Sequence, residues 1–318
     1  MADVAIVGAG AWGTALAIQA ARTGARVTLW ARSPGAMLPD GSLKRLPGVM
    51  LPDTVRLVTE LPERADAVLL AVPMQHLREV VARLRPRAPL IACCKGLERH
   101  TGQLPLELLA ALHPGLPLGV LSGPNFAGEV AAGLPAAAVL ACAESGLAGV
   151  LGRLLGSEGF RLYASDDPVG VQVGGAAKNV IAIAAGAAIG AGLGENARAA
   201  LITRGVAELG RLIVGLGGRP ATASGLSGLG DLVLTCTGTA SRNYSLGLAL
   251  SGGESLRSIL SSRSSVAEGV ETAPALAARA ASLGVAVPVI EAVALLLTGA
   301  IDLPQARARL LARPAGLE

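Results

Sequence analysis

Apolar positions in the first half of the chain fall into short runs separated by amphipathic segments. Val4–Val7 and Arg26–Trp30 are two such runs, and a helical pattern from Thr14 to Thr23 lies between them. Short apolar runs bounded by glycine or proline predict buried strands, and alternation with helices predicts a parallel sheet. Residues 33–54 lack periodicity, and we expect an irregular segment there with at most one helical turn. The other predicted strands are 55–58, 67–72, 90–94, 118–121, 136–140 and 160–164.

From about Asp166 the pattern changes to long segments rich in Ala, Leu and Val, and no further strand is predicted. A chain of 318 residues is long for one core, and Asp167-Pro168 is a natural boundary. We therefore predict an α/β protein. A Rossmann-type doubly wound parallel sheet occupies residues 1–166, and an all-α C-terminal domain occupies residues 167–318. Its predicted helices are 171–192, 196–215, 226–236, 243–250, 272–283 and 288–297.

The first predicted strand runs directly into a G-x-G-x-x-G motif formed by Gly8, Gly10 and Gly13. A strand before the motif and a helix after it form the context in which this spacing predicts dinucleotide binding. The first glycine permits a tight turn, the second lets backbone approach a pyrophosphate, and the third lets the helix pack on the sheet. The alternative is a glycine-rich turn without a ligand in a chain that is rich in glycine throughout.

The end of the second predicted strand bears on the choice of nicotinamide cofactor. NAD-specific sites usually place a carboxylate there to hold the ribose diol, whereas this strand is followed by Arg32 and Ser33. A guanidinium and a hydroxyl suit a 2′-phosphate, so NADP(H) is favoured or at least accepted beside NAD(H). The alternative is an ordinary surface arginine.

Composition narrows the class of protein further. Hydrophobic residues make up 52% of the chain and charged residues 16%, which excludes a disordered chain. The most apolar stretch, residues 169–194, contains Lys178 and lacks polar anchors, and we interpret it as a core helix without stable membrane insertion.

No signal peptide is predicted, so we expect a cytoplasmic protein. The four cysteines and three histidines form no metal-ligand pattern, and the six aromatic residues and absent basic run disfavour nucleic acid.

Within residues 169–194, Lys178 and Asn179 lie where the almost wholly apolar run Val180–Leu193 begins. Burial against apolar neighbours lowers the pKa of an ammonium towards working pH, as a general acid or base in hydride transfer requires. The alternative is a lysine that extends to water.

Three further clusters mark the second half of the chain. Asp231 enters an apolar helix after a glycine-rich turn, where it is either functional or an ordinary N-cap. Another predicted helix begins at Arg242-Asn243, and this pair could bind an anionic group. The alternative is that Arg242 is a solvated surface residue. Glu271 is expected to cap a helix, whereas Glu268 has no such simple explanation.

Taken together, the motifs resemble those of bacterial NAD(P)-dependent glycerol-3-phosphate dehydrogenases, from Val4 to about Leu311. They are GAGAWGTALA (8–17), KGLE (95–98), LSGPNFAGE (121–129), VQVGGAAKNVIAIAAG (171–186), ENARAALITRG (195–205), GLGDLVLTCTGTASRN (228–243) and VAEGV (266–270). The resemblance implies reduction of dihydroxyacetone phosphate to sn-glycerol 3-phosphate for glycerophospholipid synthesis, by a homodimer that needs no metal.

The resemblance also implies roles for individual residues. Lys178 is implied as the proton donor and acceptor, with Lys95 and Asp231 as the other catalytic residues. Implied substrate contacts are Lys95, Gly123, Asn125, Lys178, Asn179, Asp231, Thr235, Ser241, Arg242 and Asn243. Implied cofactor contacts are Gly8, Gly10, Ala11, Trp12, Gly13, Arg32, Lys95, Ala127, Arg242, Val266 and Glu268. The chain departs from the family's pattern at two places that concern cofactor binding. The segment after the second strand is a few residues shorter than expected, and position 11 is Ala where Ser is frequent.

Two other functions remain open from the sequence. A 3-hydroxyacid or 6-phosphogluconate-type dehydrogenase also joins such a sheet to an all-α domain with a Lys-Asn site, but Arg242-Asn243 after TCTGTAS argues against it. A non-catalytic nicotinamide sensor is the other, and the presence of Lys95, Lys178 and Asp231 argues against that.

Replacing Arg32 with Ala tests the assignment of the 2′-phosphate site. We expect the Michaelis constant to rise more for NADPH than for NADH, because only NADPH carries the phosphate that the guanidinium would hold. Steady-state kinetics with both cofactors measure this. Equal effects on the two cofactors would contradict the assignment.

Overall fold

The computed structural model describes residues 1–262 and 267–312. These residues form two compact units, each with its own internal contacts. The first unit comprises Met1–Lys95 and Leu104–Gln172, and the second comprises Gly96–Gln103 and Val173 onwards. The short segment Gly96–Gln103 therefore groups with the second unit, although it lies within the first half of the sequence. The predicted domain boundary at residue 167 stays a prediction.

The first unit is built on an eight-stranded sheet in the order β10-β9-β8-β7-β6-β1-β2-β5. Both faces are apolar: Ile6, Leu29 and Leu69 point to one face, and Val7, Val68 and Leu70 point to the other. A sheet covered on both faces agrees with the predicted doubly wound fold. The strands are β1 Asp3–Val7, β2 Arg26–Trp30, β5 Val55–Val58, β6 Ala67–Leu70, β7 Leu90–Ala92, β8 Leu118–Ser122, β9 Ala136–Cys142 and β10 Phe160–Ser165. The helices are α1 Ala11–Arg22, α2 Met74–Ala82, α3 Pro105–Leu112, α4 Ala127–Ala132 and α5 Leu147–Leu155.

The predicted Rossmann-type doubly wound sheet is confirmed, and one strand pairing in it is antiparallel. Strand β9 pairs with β8 in antiparallel fashion, and β10 runs parallel to β9. The connection from β8 to β9 contains only α4, a helix of six residues. A parallel return needs a longer crossover that runs back along the sheet, and α4 instead packs beside α1, where Arg22 donates to the Val130 carbonyl at 2.7 Å. The sheet is therefore parallel in its larger part.

The segment after β2 is also more regular than its sequence predicts. It contains a 3₁₀ turn at Pro34–Ala36 and then a hairpin of β3 Ser42–Leu43 and β4 Leu46–Met50. Ser42 is buried and donates to the Asp40 carboxylate at 2.7 Å, and this bond lowers the pKa of Asp40. Because β4 contains Pro47 and Gly48, which are unfavourable inside strands, its sequence does not show a strand pattern.

The described part of the second unit is helical. A 3₁₀ turn at Pro220–Ser224 and a π-helical turn at Leu226–Gly230 separate α7 from α8. The helices are α6 Pro168–Gly190, α7 Gly194–Gly215, α8 Asp231–Cys236, α9 Arg242–Ser251, α10 Leu256–Ser262, α11 Gly269–Ser282, α12 Pro288–Leu297 and α13 Leu303–Leu311. The sequence patterns did not predict α10 or α13.

Helix α6 is the centre of the second unit, and glycines let its neighbours come close. A Cβ at Gly186 would lie 2.0 Å from the Tyr244 carbonyl oxygen, and a Cβ at Gly247 would lie 2.1 Å from the Ile183 carbonyl oxygen. A Cβ at Gly174 would lie 2.4 Å from the Ser227 carbonyl oxygen. Any larger residue at these positions would push α9 or the π-helical turn away from α6.

By length and composition α6 could also cross a membrane, but 83% of its most apolar window is buried inside the protein. Its surroundings are those of a core helix.

Glu208 is a buried carboxylate in α7 that binds the start of α12. Its side chain is 1% exposed, and it accepts hydrogen bonds from the backbone N–H groups of Val289 at 2.7 Å and Ile290 at 3.2 Å. These two N–H groups lie in the first turn of α12, where no intrahelical acceptor is available. Burial nevertheless dominates and raises the pKa of Glu208 to about 7.

Glu208 should make the stability of the protein depend on pH. Its folded-state pKa of about 7 lies above the ordinary value of 4.5, so the contribution is fully present below pH 4.5 and is lost as pH rises through about 7. The difference is on the order of 3 kcal/mol. We expect urea unfolding at pH 5 and pH 8 to show a smaller pH-dependent loss in Glu208→Gln than in the unmodified protein.

Glu195→Gln is the matched control, since Glu195 lies on the same helix, α7, but its side chain is 68% exposed. A Glu208→Gln variant with the same pH slope as the unmodified protein would contradict the assignment.

Candidate active site and cofactor site

The turn between β1 and α1 has the geometry that its three glycines predict. Gly8 has φ +120°, and a Cβ there would lie 2.9 Å from backbone atoms of Ala71 and Val72. A Cβ at Gly13 would lie 1.8 Å from the Gly8 carbonyl oxygen, so this glycine is required for the turn to close on the helix. At Gly10, in contrast, nothing lies within 4 Å of the Cβ position. The backbone is therefore open to a ligand at the N-terminus of α1.

The same turn presents donors that suit a phosphate group. Gly10 is the N-cap of α1 and makes no side-chain capping bond, and Ala11 and Trp12 supply the first helical positions. The indole Nε1 of Trp12 is buried and has no hydrogen-bond partner among the described residues. A buried orphan donor beside an open helix N-terminus is what a bound dinucleotide would satisfy. The residues present therefore fit the cofactor.

Arg32 and Ser33 follow β2 at the same edge of the sheet, and both are exposed. Exposure at the end of the second strand leaves the guanidinium accessible to a ribose phosphate. The role of Arg32 in holding a 2′-phosphate stays a prediction.

A second set of polar groups lies at the ends of β7 and β8. Lys95 follows β7, and its Nζ donates to the Gly123 carbonyl at 3.3 Å. A Cβ at Gly123 would lie 2.8 Å from the Cα of Ala138, so this position requires glycine. Asn125 donates from Nδ2 to the Ala137 carbonyl at 3.1 Å, while its Oδ1 is buried and has no described partner. Ala127 then begins α4.

Lys178 lies in the middle of α6, which starts at Pro168. The ammonium does not extend to water: the residue is 8% exposed, and its Nζ donates to Asp231 Oδ1 at 2.5 Å. It also donates to Thr235 Oγ1 at 3.0 Å. A lysine buried in an otherwise apolar helix is held by a carboxylate and a hydroxyl.

Asp231 is placed by the π-helical turn before it. It is the first residue of α8, whose N-cap is Gly230, and it is 0% exposed. The alternative of an ordinary N-cap is therefore not what the structure has. Thr235 lies one turn later, and its hydroxyl donates to the Asp231 carbonyl at 2.6 Å, which orients its oxygen towards Lys178. Single π-helical turns are frequent at functional sites because they shift the register of the following side chains.

Asn179 and Asn243 join three helices of the second unit. Asn243 donates from Nδ2 to Asn179 Oδ1 at 2.9 Å, and its own Oδ1 accepts from the Gly269 N–H at 3.0 Å. Asn179 Nδ2 also lies 3.5 Å from Glu268 Oε2. These bonds connect α6 to α9 and to the start of α11.

The run from Ser241 to Asn243 forms the N-terminus of α9. Ser241 is the N-cap and accepts from the Tyr244 N–H at 3.2 Å, whereas Arg242 is exposed. Glu271 makes no cap to α11; its carboxylate pairs with Arg99 at 3.2 Å. The expectation that Glu271 caps the helix is thus replaced by an ion pair with the segment that follows Lys95.

Both halves of the chain match models of one protein family. The N-terminal model of NAD-dependent glycerol-3-phosphate dehydrogenase matches residues 3–148, and the C-terminal model matches residues 167–307. The chain belongs to the NAD-dependent glycerol-3-phosphate dehydrogenase family.

Relatives along the whole length support this. The chain is 57% identical over 317 residues to glycerol-3-phosphate dehydrogenase (NAD(P)+) of Gluconobacter oxydans, covering 98% of this chain and 97% of the relative. It is 53% identical to the enzyme of the same name from Acidiphilium cryptum, covering 98% and 97%. The crystal structure of glycerol-3-phosphate dehydrogenase from Coxiella burnetii superposes with a TM-score of 0.93 at 38% identity, covering 98% and 99% of the two chains.

This dehydrogenase has one further candidate site residue, Ser122, that the sequence did not predict. Ser122 ends β8 and is 3% exposed, and its Oγ has no hydrogen-bond partner among the described residues. The resemblance implies substrate contacts at Gly123 and Asn125 nearby, but an unsatisfied hydroxyl can be detected only in the structure. Val266, implied as a cofactor contact, lies outside the described residues.

In residues 1–262 and 267–312 of this dehydrogenase, no three His, Cys, Asp or Glu side chains come together in a group that could hold an ion. The four cysteines are buried, and they form no disulfide with one another.

Proposed function

We propose that this dehydrogenase reduces dihydroxyacetone phosphate to sn-glycerol 3-phosphate with a reduced nicotinamide cofactor, and that it supplies glycerophospholipid synthesis. The buried cluster of Lys178, Asp231 and Thr235, in a chain of this family, is the observation that carries the proposal. An ammonium held in a water-poor site can both stabilise a developing alkoxide and protonate it.

The chemistry divides between the cofactor and the chain. A reduced nicotinamide, when held at the turn formed by Gly8, Gly10 and Gly13, would supply the hydride for the carbonyl carbon of the substrate. Lys178 donates a proton from Nζ to the carbonyl oxygen, so that the ketone becomes a secondary alcohol, and it takes the proton back in the reverse direction. Asp231 favours the ammonium form before transfer, and Thr235 holds Nζ in place.

Recognition of the substrate is assigned to two sets of polar groups, each described within its own unit. In the second unit, Arg242 would bind the phosphate with its planar guanidinium, supported by the N-terminus of α9 at Ser241. Asn179 and Asn243 orient one another, and each keeps amide capacity for a ligand. In the first unit, Lys95, Gly123 and Asn125 would contact the substrate; the orphan Oδ1 of Asn125 supports this role.

Cofactor binding is assigned chiefly to the first unit. The turn formed by Gly8, Gly10 and Gly13 would hold the pyrophosphate, with Ala11 and Trp12 at the helix start. Arg32 would hold the 2′-phosphate of NADP(H), and NAD(H) would also be accepted. Further proposed contacts are Lys95, Ala127, Arg242, Val266 and Glu268.

The cellular setting also belongs to this proposal. We place the enzyme in the cytoplasm as a homodimer, without membrane insertion, with its cofactor domain at residues 1–166 and its catalytic domain at residues 167–318. Arg242, the first residue of α9, precedes Asn243, whose amide binds Asn179 next to Lys178. A guanidinium at that helix start suits a phosphorylated substrate better than a simple hydroxyacid.

Replacing Lys178 tests the central assignment. Removing the ammonium alone leaves Asp231 buried and unpaired, so the variant to make is Lys178→Met combined with Asp231→Asn. We expect turnover of dihydroxyacetone phosphate to fall by at least about 100-fold, the lower end for loss of a general acid. The rate of cofactor oxidation under saturating substrate measures it, and circular dichroism checks the fold.

Lys44→Met is the matched control, because Lys44 is an exposed lysine between β3 and β4. It should retain full turnover. A folded double variant with near-normal turnover would refute the role of Lys178.

Arg242→Ala tests the phosphate site separately. We expect the Michaelis constant for dihydroxyacetone phosphate to rise by about tenfold or more with a smaller change in turnover, since a hydrogen bond to a charged group contributes about 1.5–3 kcal/mol. Arg242→Lys should recover part of the loss, because it keeps the charge but not the paired donors. An unchanged Michaelis constant in Arg242→Ala would count against phosphate binding here.

A further inference from the structure

The second unit contains an apolar groove that the proposed chemistry does not use. It has a volume of about 680 Å³ and is lined by residues of α6, α7, α12 and α13. On α6 it involves only the C-terminal half, from Ala184 onwards, whereas Lys178 lies in the preceding turns. The volume falls within the range of about 300–1,000 Å³ that is typical of small-molecule sites.

The interior of the groove suits an aliphatic chain. Ala188, Ala292 and Val293 are buried lining residues that leave no polar side chain at these points. Leu201 of α7 and Leu310 of α13 add aliphatic surface from two other helices. Burial of each methylene group against such a surface stabilises a complex, so a chain of several carbons has a substantial driving force.

The charged side chains of the lining are mostly cationic. Arg204, Arg211 and Arg307 are exposed members, and Arg211 is oriented by a hydrogen bond of 3.0 Å from its Nε to the Ala286 carbonyl. The single acid in the lining, Glu208, is buried and already accepts two backbone N–H groups of α12. An apolar interior with arginines at its exposed border favours a ligand that has an aliphatic body and an anionic head.

We propose that this groove is a binding site for a single-chain lipid with a phosphate monoester head, its chain in the groove and its head on Arg204, Arg211 and Arg307. Three guanidinium groups favour a head that can carry two negative charges over a neutral one. The link to the reaction rests on the proposed function: acylation of sn-glycerol 3-phosphate gives a lipid of this chemical class. Binding at this site would then make the enzyme sensitive to the product of a later acyl transfer, a reaction whose substrate the enzyme supplies.

A second copy of the chain is a less favourable occupant on grounds of charge. A two-fold interface would bring the same surface of both copies together, and with it the arginines of both grooves. Like charges brought together in this way oppose association. An anionic lipid instead complements them.

Dodecyl phosphate below its micellar concentration is the probe, and calorimetry measures its binding to the full chain without substrate or cofactor. We expect one equivalent to bind. Ala200→Trp should weaken binding at least about tenfold, because Ala200 is an exposed lining residue and the indole would fill the groove. Ala199→Trp is the matched control, since Ala199 is exposed on the same helix but does not line the groove, and it should bind normally.

The head group is tested on α13. Arg307→Ala should weaken binding several-fold, whereas Arg309→Ala should not, because Arg309 lies outside the lining and pairs with Glu291 at 3.5 Å. Dodecyltrimethylammonium and inorganic phosphate should both fail to displace the probe. The proposal is overturned by absence of binding, by equal affinities in Ala200→Trp and Ala199→Trp, or by displacement with the cationic amphiphile.

Light scattering addresses the alternative occupant. A fall in molar mass in Ala200→Trp but not in Ala199→Trp would identify the groove as a subunit interface and overturn the lipid site. Because the binding assay requires no turnover, failure of the proposed reaction would leave this result unaffected.

Discussion

The close approach of α6 to its neighbours is the constraint on which the second unit depends. At Gly186 and Gly247 the backbones of α6 and α9 come so near that a single methyl group would overlap a carbonyl oxygen. Gly174 permits the same approach to the π-helical turn. Because packed interiors have little free volume, these contacts fix the position of α6 to within a fraction of an ångström. Lys178 and Asn179 lie between these glycines and inherit that precision.

The buried polar groups on α6 make this precision necessary. An ammonium removed from water is costly unless its partners are well placed, and Lys178 has a carboxylate at 2.5 Å and a hydroxyl at 3.0 Å. Asn179 has its amide bound by Asn243, which also binds the start of α11. A small displacement of α6 would leave several of these groups unsatisfied at once. Packing and polar contacts therefore support one another, and together they hold a charged group ready for proton transfer.

The first unit also has glycines at close backbone contacts, but some of its buried polar atoms have no described partner. Its glycines at positions 8 and 13 are needed because backbone lies close to backbone, whereas Gly10 faces open space. Three buried polar atoms, on Trp12, Ser122 and Asn125, are left without described partners. Unsatisfied buried groups destabilise the free protein, and a ligand that satisfies them gains that energy on binding. The first unit thus keeps its polar capacity for the ligand, while the second unit uses much of its own internally.

Sequence alone determined the local features of this protein. Apolar runs located the eight strands of the sheet, and the spacing of Gly8, Gly10 and Gly13 predicted the turn, because strand burial and backbone sterics depend on neighbouring residues. Only the tertiary structure decided the direction of β9, since a strand has the same pattern whichever way it runs. The same holds for the hairpin at residues 42–50, whose pairing overrides Pro47 and Gly48. It also decided that Asp231 meets Lys178 across 53 positions of sequence, because that contact depends on the packing of α6 against the π-helical turn.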